Sequence, residues 1–180
     1  METSLPTEVI FNLLLSSDFD TITNLCLTSS AINNVCQNDH FWQQKFIQDF
    51  GNFPKVSNKT WRQSYEVMLS TIQYLNHIIK VPTFLVYEIT NIDFINRYMG
   101  IAVDEPIRLA IHYNHNDDMF HILYDAIDYQ FPQPGVTLRT YASIGENIVT
   151  SHDLKNFIYV LLGLGIEPEI TRFLNNMIQD

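Results

Sequence analysis

Residues 112 to 121, HYNHNDDMFH, gather His112, His115 and His121 around Asp117 and Asp118, with Asp125 following four positions after His121. Imidazole and carboxylate ligands together suit a transition metal, and a helix would bring His121 and Asp125 onto one face. The stretch lacks the glutamate that the HExxH pattern uses to activate water. It therefore reads as solvated turn histidines beside aspartates that cap a helix. Asp117 and Asp118 could suggest two carboxyls sharing a proton, but neighbouring helix residues point in different directions, and acids at a helix start explain them.

Nucleophilic chemistry finds no better footing. Cys26 has no basic activator nearby in sequence, and Ser151 beside His152 reads as a helix cap. No Gly-x-Ser-x-Gly elbow, phosphate-cradling glycine loop or arginine fork occurs, and GLG at 163 to 165 reads as a helix break. The expectation is a protein that is not an enzyme, with no catalytic residues, no metal and no cofactor.

The elements that would carry these residues are predicted from periodicity and capping. The expected fold class is all-α: a small helical module at 1 to 55, a long amphipathic connecting helix at 56 to 80, and an acidic, mostly helical domain at 81 to 180. Pro6 suits a first helical turn, with Ser4 as a possible cap ahead of it. Val9, Ile10, Leu13 and Leu14 follow at helical spacing. Asp18 or Asp20 can cap a second helix, and Ser29 and Ser30 either end it or begin a third through Val35. Asn38 or Asp39 opens the helix of QNDHFWQQKFIQDFG, which Gly51 and Pro54 close, and His40 is expected as an exposed first-turn residue. Trp61, Tyr65, Met68, Leu69, Ile72, Leu75 and Ile79 recur every three or four positions and predict one long helix up to Pro82.

Beyond Pro82, TFLVYEIT has strand-like composition, but no second convincing strand run is found to pair with it, so helical or irregular structure is expected. EPIRLAIHY, DDMFHILYDAIDYQF, SHDLKNFIYVLLGLG and EPEITRFLNNMI are predicted helices. DFINRYMG also reads as helical, and QFPQPGVTLRTYASIGENIVT as a connecting loop.

Composition limits the partners. The formal net charge is -10, with seven acids against five bases in residues 1 to 80 and thirteen against five in 81 to 180. With no Lys/Arg cluster, direct nucleic-acid or anionic-membrane binding is not expected. Cys26 and Cys36 read as buried free thiols of a reducing compartment. The opening residues lack a secretory pattern, and no apolar run approaches the roughly 20 residues needed to span a bilayer. An intracellular protein, cytoplasmic or nuclear, is expected. Tyr124, Asp125, Asp128 and Tyr129 form a possible target face, because tyrosine gives contact area with a polar tip and carboxylates attract basic groups.

LPTEVIFNLLL at 5 to 15, ITNLCLTSSAINNVCQNDHFWQQKFIQDFG at 22 to 51 and TWRQSYEVM at 60 to 68 together resemble an F-box and its short following extension. The resemblance covers about the first third of the chain. It departs from the family pattern at SSAIN, where a basic or aromatic residue often follows the second helix. The resemblance implies contact with a Skp-like adaptor protein through Leu5, Pro6, Val9, Ile10, Leu13, Leu14, Leu25 and Leu27, with Trp42, Phe46 and Trp61 as structural support. It also implies a non-catalytic role in recruiting a protein target, of unknown identity, to a Skp-cullin-type ubiquitin ligase. Residues after 80 do not resemble the leucine-rich, propeller or kelch target domains of that family. An F-box-like start joined to a divergent domain is similar to proteins of large DNA viruses. The alternative expectation is a structural or assembly protein, with virion association, using the helical module only for protein binding.

Overall fold

The computed structural model describes residues 5–90, 107–126 and 145–172. The chain divides into two compact units, Met1–Met68 and Leu69–Asp180, with the boundary inside one helix.

The first unit is helical, and its boundaries follow from capping residues. Helix α1 spans Thr7–Leu15, and the Pro6 carbonyl accepts from the Val9 and Ile10 amides. Asp18 caps α2, Phe19–Leu25, by accepting from the Thr21 amide at 2.7 Å. That hydrogen bond holds the Asp18 carboxyl below its ordinary range. Ser29 caps α3, Ser30–Cys36, and Asn38 caps α4, Asp39–Phe50. Gly51 ends α4 with φ 83, a left-handed conformation that glycine adopts without steric cost. Thr60 and Gln63 exchange side-chain and backbone hydrogen bonds as a capping box before α5, Trp61–Lys80. The Asp39 carboxylate accepts from the Trp61 amide at 2.7 Å, which ties the starts of α4 and α5 together.

The core of this unit is aromatic. Trp42 meets Phe41, Phe19 and Tyr65 at centroid distances of 5.2, 5.9 and 5.5 Å. Phe46 packs on Phe50 and Trp61 at 5.3 and 5.4 Å. The indole N–H of Trp42 donates to the Cys36 carbonyl at 2.8 Å, which satisfies the polar end of a buried ring.

The second unit corrects the all-α expectation. It contains a five-stranded antiparallel sheet in the order β4-β3-β2-β1-β5, so the chain is mixed α and β, and the second domain is not mostly helical. Strand β1 is Thr83–Ile89, β2 Ile107–Asn114, β3 Met119–Ala126, β4 Gly145–Val149 and β5 Glu169–Arg172. Within the segments expected as helices, IRLAIHY of EPIRLAIHY lies in β2 and MFHILYDA of DDMFHILYDAIDYQF is β3, part of the expected QFPQPGVTLRTYASIGENIVT loop is β4, and the start of the expected last helix contains β5. TFLVYEIT, expected to be helical or irregular for want of a partner, pairs with two strands, β2 and β5.

The register explains the pattern. Leu85, Tyr87 and Ile89 stand opposite Ile111, Leu109 and Ile107, and Ile122 continues the row from Ile111; all of these are buried. The opposite face also carries apolar side chains, Phe84 and Ala110 with Val86 and Leu123 packed against them. Strands covered on both faces lose the simple polar alternation that marks a half-exposed strand.

Helix α6, Ser151–Gly163, packs against β3. Its cap is Thr150, one residue before the expected Ser151, and the Thr150 hydroxyl accepts from the Asp153 amide. GLG does end this helix: Gly165 has φ 79, its amide bonds the Leu162 carbonyl, and the Ile166 amide bonds the Leu161 carbonyl. This is a Schellman closure. Among the described residues, no helix is long and apolar enough to cross a membrane.

Candidate functional site

Helix α1 separates the residues that the F-box resemblance had grouped. Ile10 and Leu14 are 4 % and 0 % exposed and belong to the core, whereas Leu5, Val9 and Leu13 are 57 %, 48 % and 47 % exposed. These three recur every four residues and so lie along one side of the helix and its lead-in. Pro6 is exposed and Leu25 half-buried, while Leu27, in the turn after α2, is 84 % exposed. Trp42 and Phe46 are buried and Trp61 is half-buried, so the three expected support residues take up packing positions.

Charge around this surface is one-sided. Through residue 44 the chain carries Glu2, Glu8, Asp18, Asp20 and Asp39 with no lysine or arginine. The first base, Lys45, is buried: its ammonium donates to the Leu15 carbonyl at 3.0 Å and pairs with Asp49 at 2.8 Å. Tyr65 donates its hydroxyl to the same Asp49 carboxylate at 2.5 Å. Burial first, and then that carboxylate, push the Tyr65 hydroxyl well above its ordinary pKa, so it remains a proton donor. Lys45 thus anchors the end of α1 to α4 and leaves the exterior of α1 acidic and apolar. The four-residue spacing of Lys45 and Asp49 is the sequence signal for this cluster, an ion pair along a helix.

A disulfide replaces the expected free thiols. Cys26, the C-terminal cap of α2, is bonded to Cys36, the last residue of α3, with their Cα atoms 6.0 Å apart. The turn between the two helices brings the cysteines together, an arrangement that their separation of ten residues does not reveal by itself.

The histidine and aspartate cluster lies on a hairpin, not around a helix start. Residues 115 to 118 form the turn between β2 and β3, and Asp118 adopts φ 59 there. His112 and His121 are register partners whose rings stack at 5.2 Å. His115 is exposed, but His121 is buried, contrary to the expected solvated histidine. His121 Nε2 lies 2.8 Å from Asp117 Oδ2. Asp117 also accepts from Asn114 Nδ2 and the Met119 amide, while Tyr113 donates to Asp118. These acids close a turn and cap no helix. Among the described residues, no group of three or more His, Cys, Asp or Glu side chains could hold a metal ion.

Desolvation opposes ionisation of Asp117, but the His121 contact and the Met119 amide outweigh it and hold the carboxyl below its ordinary pKa. Because the folded value is depressed, the stabilisation is present at neutral pH and is lost as pH falls through the folded value. A carboxyl NMR titration is expected to show Asp117 protonating at lower pH than an unperturbed aspartate, with hairpin amide shifts moving at the same midpoint. Replacing His121 by Phe should raise that midpoint.

Of the expected target face, two residues lie among those described. Tyr124 and Asp125 are successive residues of β3, in register with Leu109 and Arg108, so no helix aligns them. Asp128 and Tyr129 lie outside the described residues, as does the DFINRYMG segment. Set against protein-family models, curated proteins and solved structures, the chain matches none of them. Functional inference therefore rests on its own residues and geometry.

Proposed function

We propose that the first unit is an F-box-like docking module that takes up a Skp-like adaptor, and that the protein is a non-catalytic recruiter of a protein target to a Skp-cullin-type ubiquitin ligase. The observation that supports this reading is the division of α1 between a buried face, Ile10 and Leu14, and the exposed apolar row Leu5, Val9 and Leu13. Apolar side chains recurring along one exposed side are the form of a helical contact surface, where a central cluster supplies most of the affinity and a polar rim sets the register. Leu27 adds a second exposed apolar position in the block that the resemblance assigns to the same contact.

The test is direct binding between the full chain and purified Skp-like adaptors by calorimetry. Val9→Asp and Leu13→Asp are each expected to weaken binding at least about 30-fold, as loss of a central interface side chain does. Circular dichroism should show that both variants remain helical. A folded chain that binds no member of an adaptor panel would sink the proposal, and unchanged affinity in both variants would remove α1 from the contact.

The Cys26–Cys36 disulfide favours a second reading, a structural or assembly protein, because such bonds persist mainly in oxidising surroundings. Incorporation into a particle without adaptor binding would favour it over recruitment.

A further inference from the structure

We propose that Cys26–Cys36 is a thiol-exchange site whose redox state sets the order of the Leu25–Leu27 turn and, with it, the grip of the first unit on its partner. The inference rests on the docking reading above for its last step only.

Helices α2 and α3 have seven residues each, far below the roughly 12–15 that a free helix needs to be even marginally stable in water. Their folding thus depends on tertiary anchors. Helix α2 buries Ile22, and α3 buries Val35 and Cys36. Phe19 packs on Trp42 and Tyr65 and so holds the start of α2, while beyond Ile22 the ties include the disulfide and the Trp42 hydrogen bond to the Cys36 carbonyl. Between the cysteines, Leu27, Thr28, Ser29 and Ser30 are all exposed. The rest of the unit has independent support from Ile10, Leu14, Phe41, Phe46, Tyr65 and Met68. Opening the bond should therefore loosen residues 23 to 36 and spare α4.

The two cysteines differ in exposure. Cys26 is half-buried, whereas Cys36 is 1 % exposed. A small thiolate such as glutathione attacks the Cys26 sulfur, forming a mixed disulfide there and releasing Cys36 as a thiolate that takes up a proton. A second thiolate then attacks the glutathione sulfur of the mixed disulfide. It releases the Cys26 thiolate, which is protonated in turn, and glutathione disulfide. The protein disulfide gains two electrons and two protons, and two glutathiones are oxidised. Reoxidation by glutathione disulfide runs the same steps backwards.

The test compares the oxidised full chain, the chain reduced with glutathione, and a Cys26→Ser, Cys36→Ser double variant, using hydrogen exchange read by mass spectrometry. Reduction is expected to speed amide exchange in residues 23 to 36 at least about tenfold and to leave 39 to 50 unchanged, as in opening of a local unit. The double variant should exchange like the reduced chain whether or not reductant is present. Adaptor affinity should fall at least about tenfold on reduction and return on reoxidation.

Unchanged exchange in 23 to 36, or two free thiols in protein prepared in air without reductant, would overturn the proposal. Faster exchange with equally tight adaptor binding in both states would also overturn it. Faster exchange with no adaptor bound in either state would uphold the redox-controlled turn and sink the adaptor reading. Tight adaptor binding with unchanged exchange would do the reverse.

Discussion

Trp42→Ala is expected to leave the first unit unfolded without any denaturant. Removing a buried tryptophan typically costs about 3–5 kcal/mol through lost burial and the cavity left behind. Here the change also strips contacts from Phe19, Phe41 and Tyr65 and orphans the Cys36 carbonyl, a further cost of about 1–3 kcal/mol. A unit of this size has a total stability of only about 3–10 kcal/mol, so the loss is comparable with all of it. The chain has two tryptophans, and in this variant Trp61 remains as the single fluorescent reporter. Urea titration followed by tryptophan fluorescence should give the wild type a cooperative transition and the variant none. Trp42→Phe keeps a ring in the site and should cost much less. If Trp42→Ala unfolds cooperatively with a loss below about 2 kcal/mol, the central place given to this ring is wrong.

Leu14→Asp should be nearly as damaging, while Leu13→Asp next to it should leave stability almost unchanged. Leu14 is 0 % exposed, and a carboxylate there has to be desolvated without a partner or folded in its neutral form; both routes cost several kcal/mol. Leu13 is 47 % exposed, and a surface substitution of that kind usually shifts stability by about 0.5 kcal/mol or less. The pair separates packing from contact on adjacent residues. Thermal unfolding followed by circular dichroism should show the Leu14 variant without a cooperative transition and the Leu13 variant close to wild type. Equal melting of the two would mean that the buried and exposed faces of α1 are wrongly assigned.

These adjacent leucines show the limit of what the sequence made legible. Helical spacing placed Val9, Ile10, Leu13 and Leu14 on one broad apolar stripe. Only the packing of the other helices divides that stripe into a covered half and an open half. The capping residues of α2, α3 and α4 are among the candidates that the sequence offers because their causes are local: Asp18, Ser29 and Asn38 accept hydrogen bonds from amides two or three residues onward, and Gly51 closes α4.

The sheet was not readable in the same way. IRLAIHY and FHILYDA have apolar residues at both helical and alternating spacings, and strands packed on both faces blur the distinction. Asp117 and Asp118 fit helix-start chemistry, although aspartate and asparagine side chains also bond nearby backbone in tight turns. Here the Asn116 and Met119 amides bond to Asn114 and Asp117. Rejecting β1 for lack of a partner then followed from misreading β2. The disulfide and the buried Lys45 both depend on how α2, α3 and α4 fold back on their neighbours, which no window of sequence displays.

The strand order has a consequence for synthesis on the ribosome. Val86 in β1 pairs with Glu169 in β5, so one side of β1 stays unpaired until the chain has been extended through the whole sheet. At about 5–20 residues per second, that is a delay of several seconds. The first unit is assembled from helices adjacent in sequence, whose short loops close quickly. A nascent chain can therefore present a finished helical unit, with Leu5, Val9 and Leu13 outward, while the second still lacks an edge. The docking proposed for α1 would then be open to a partner before the sheet that follows is complete.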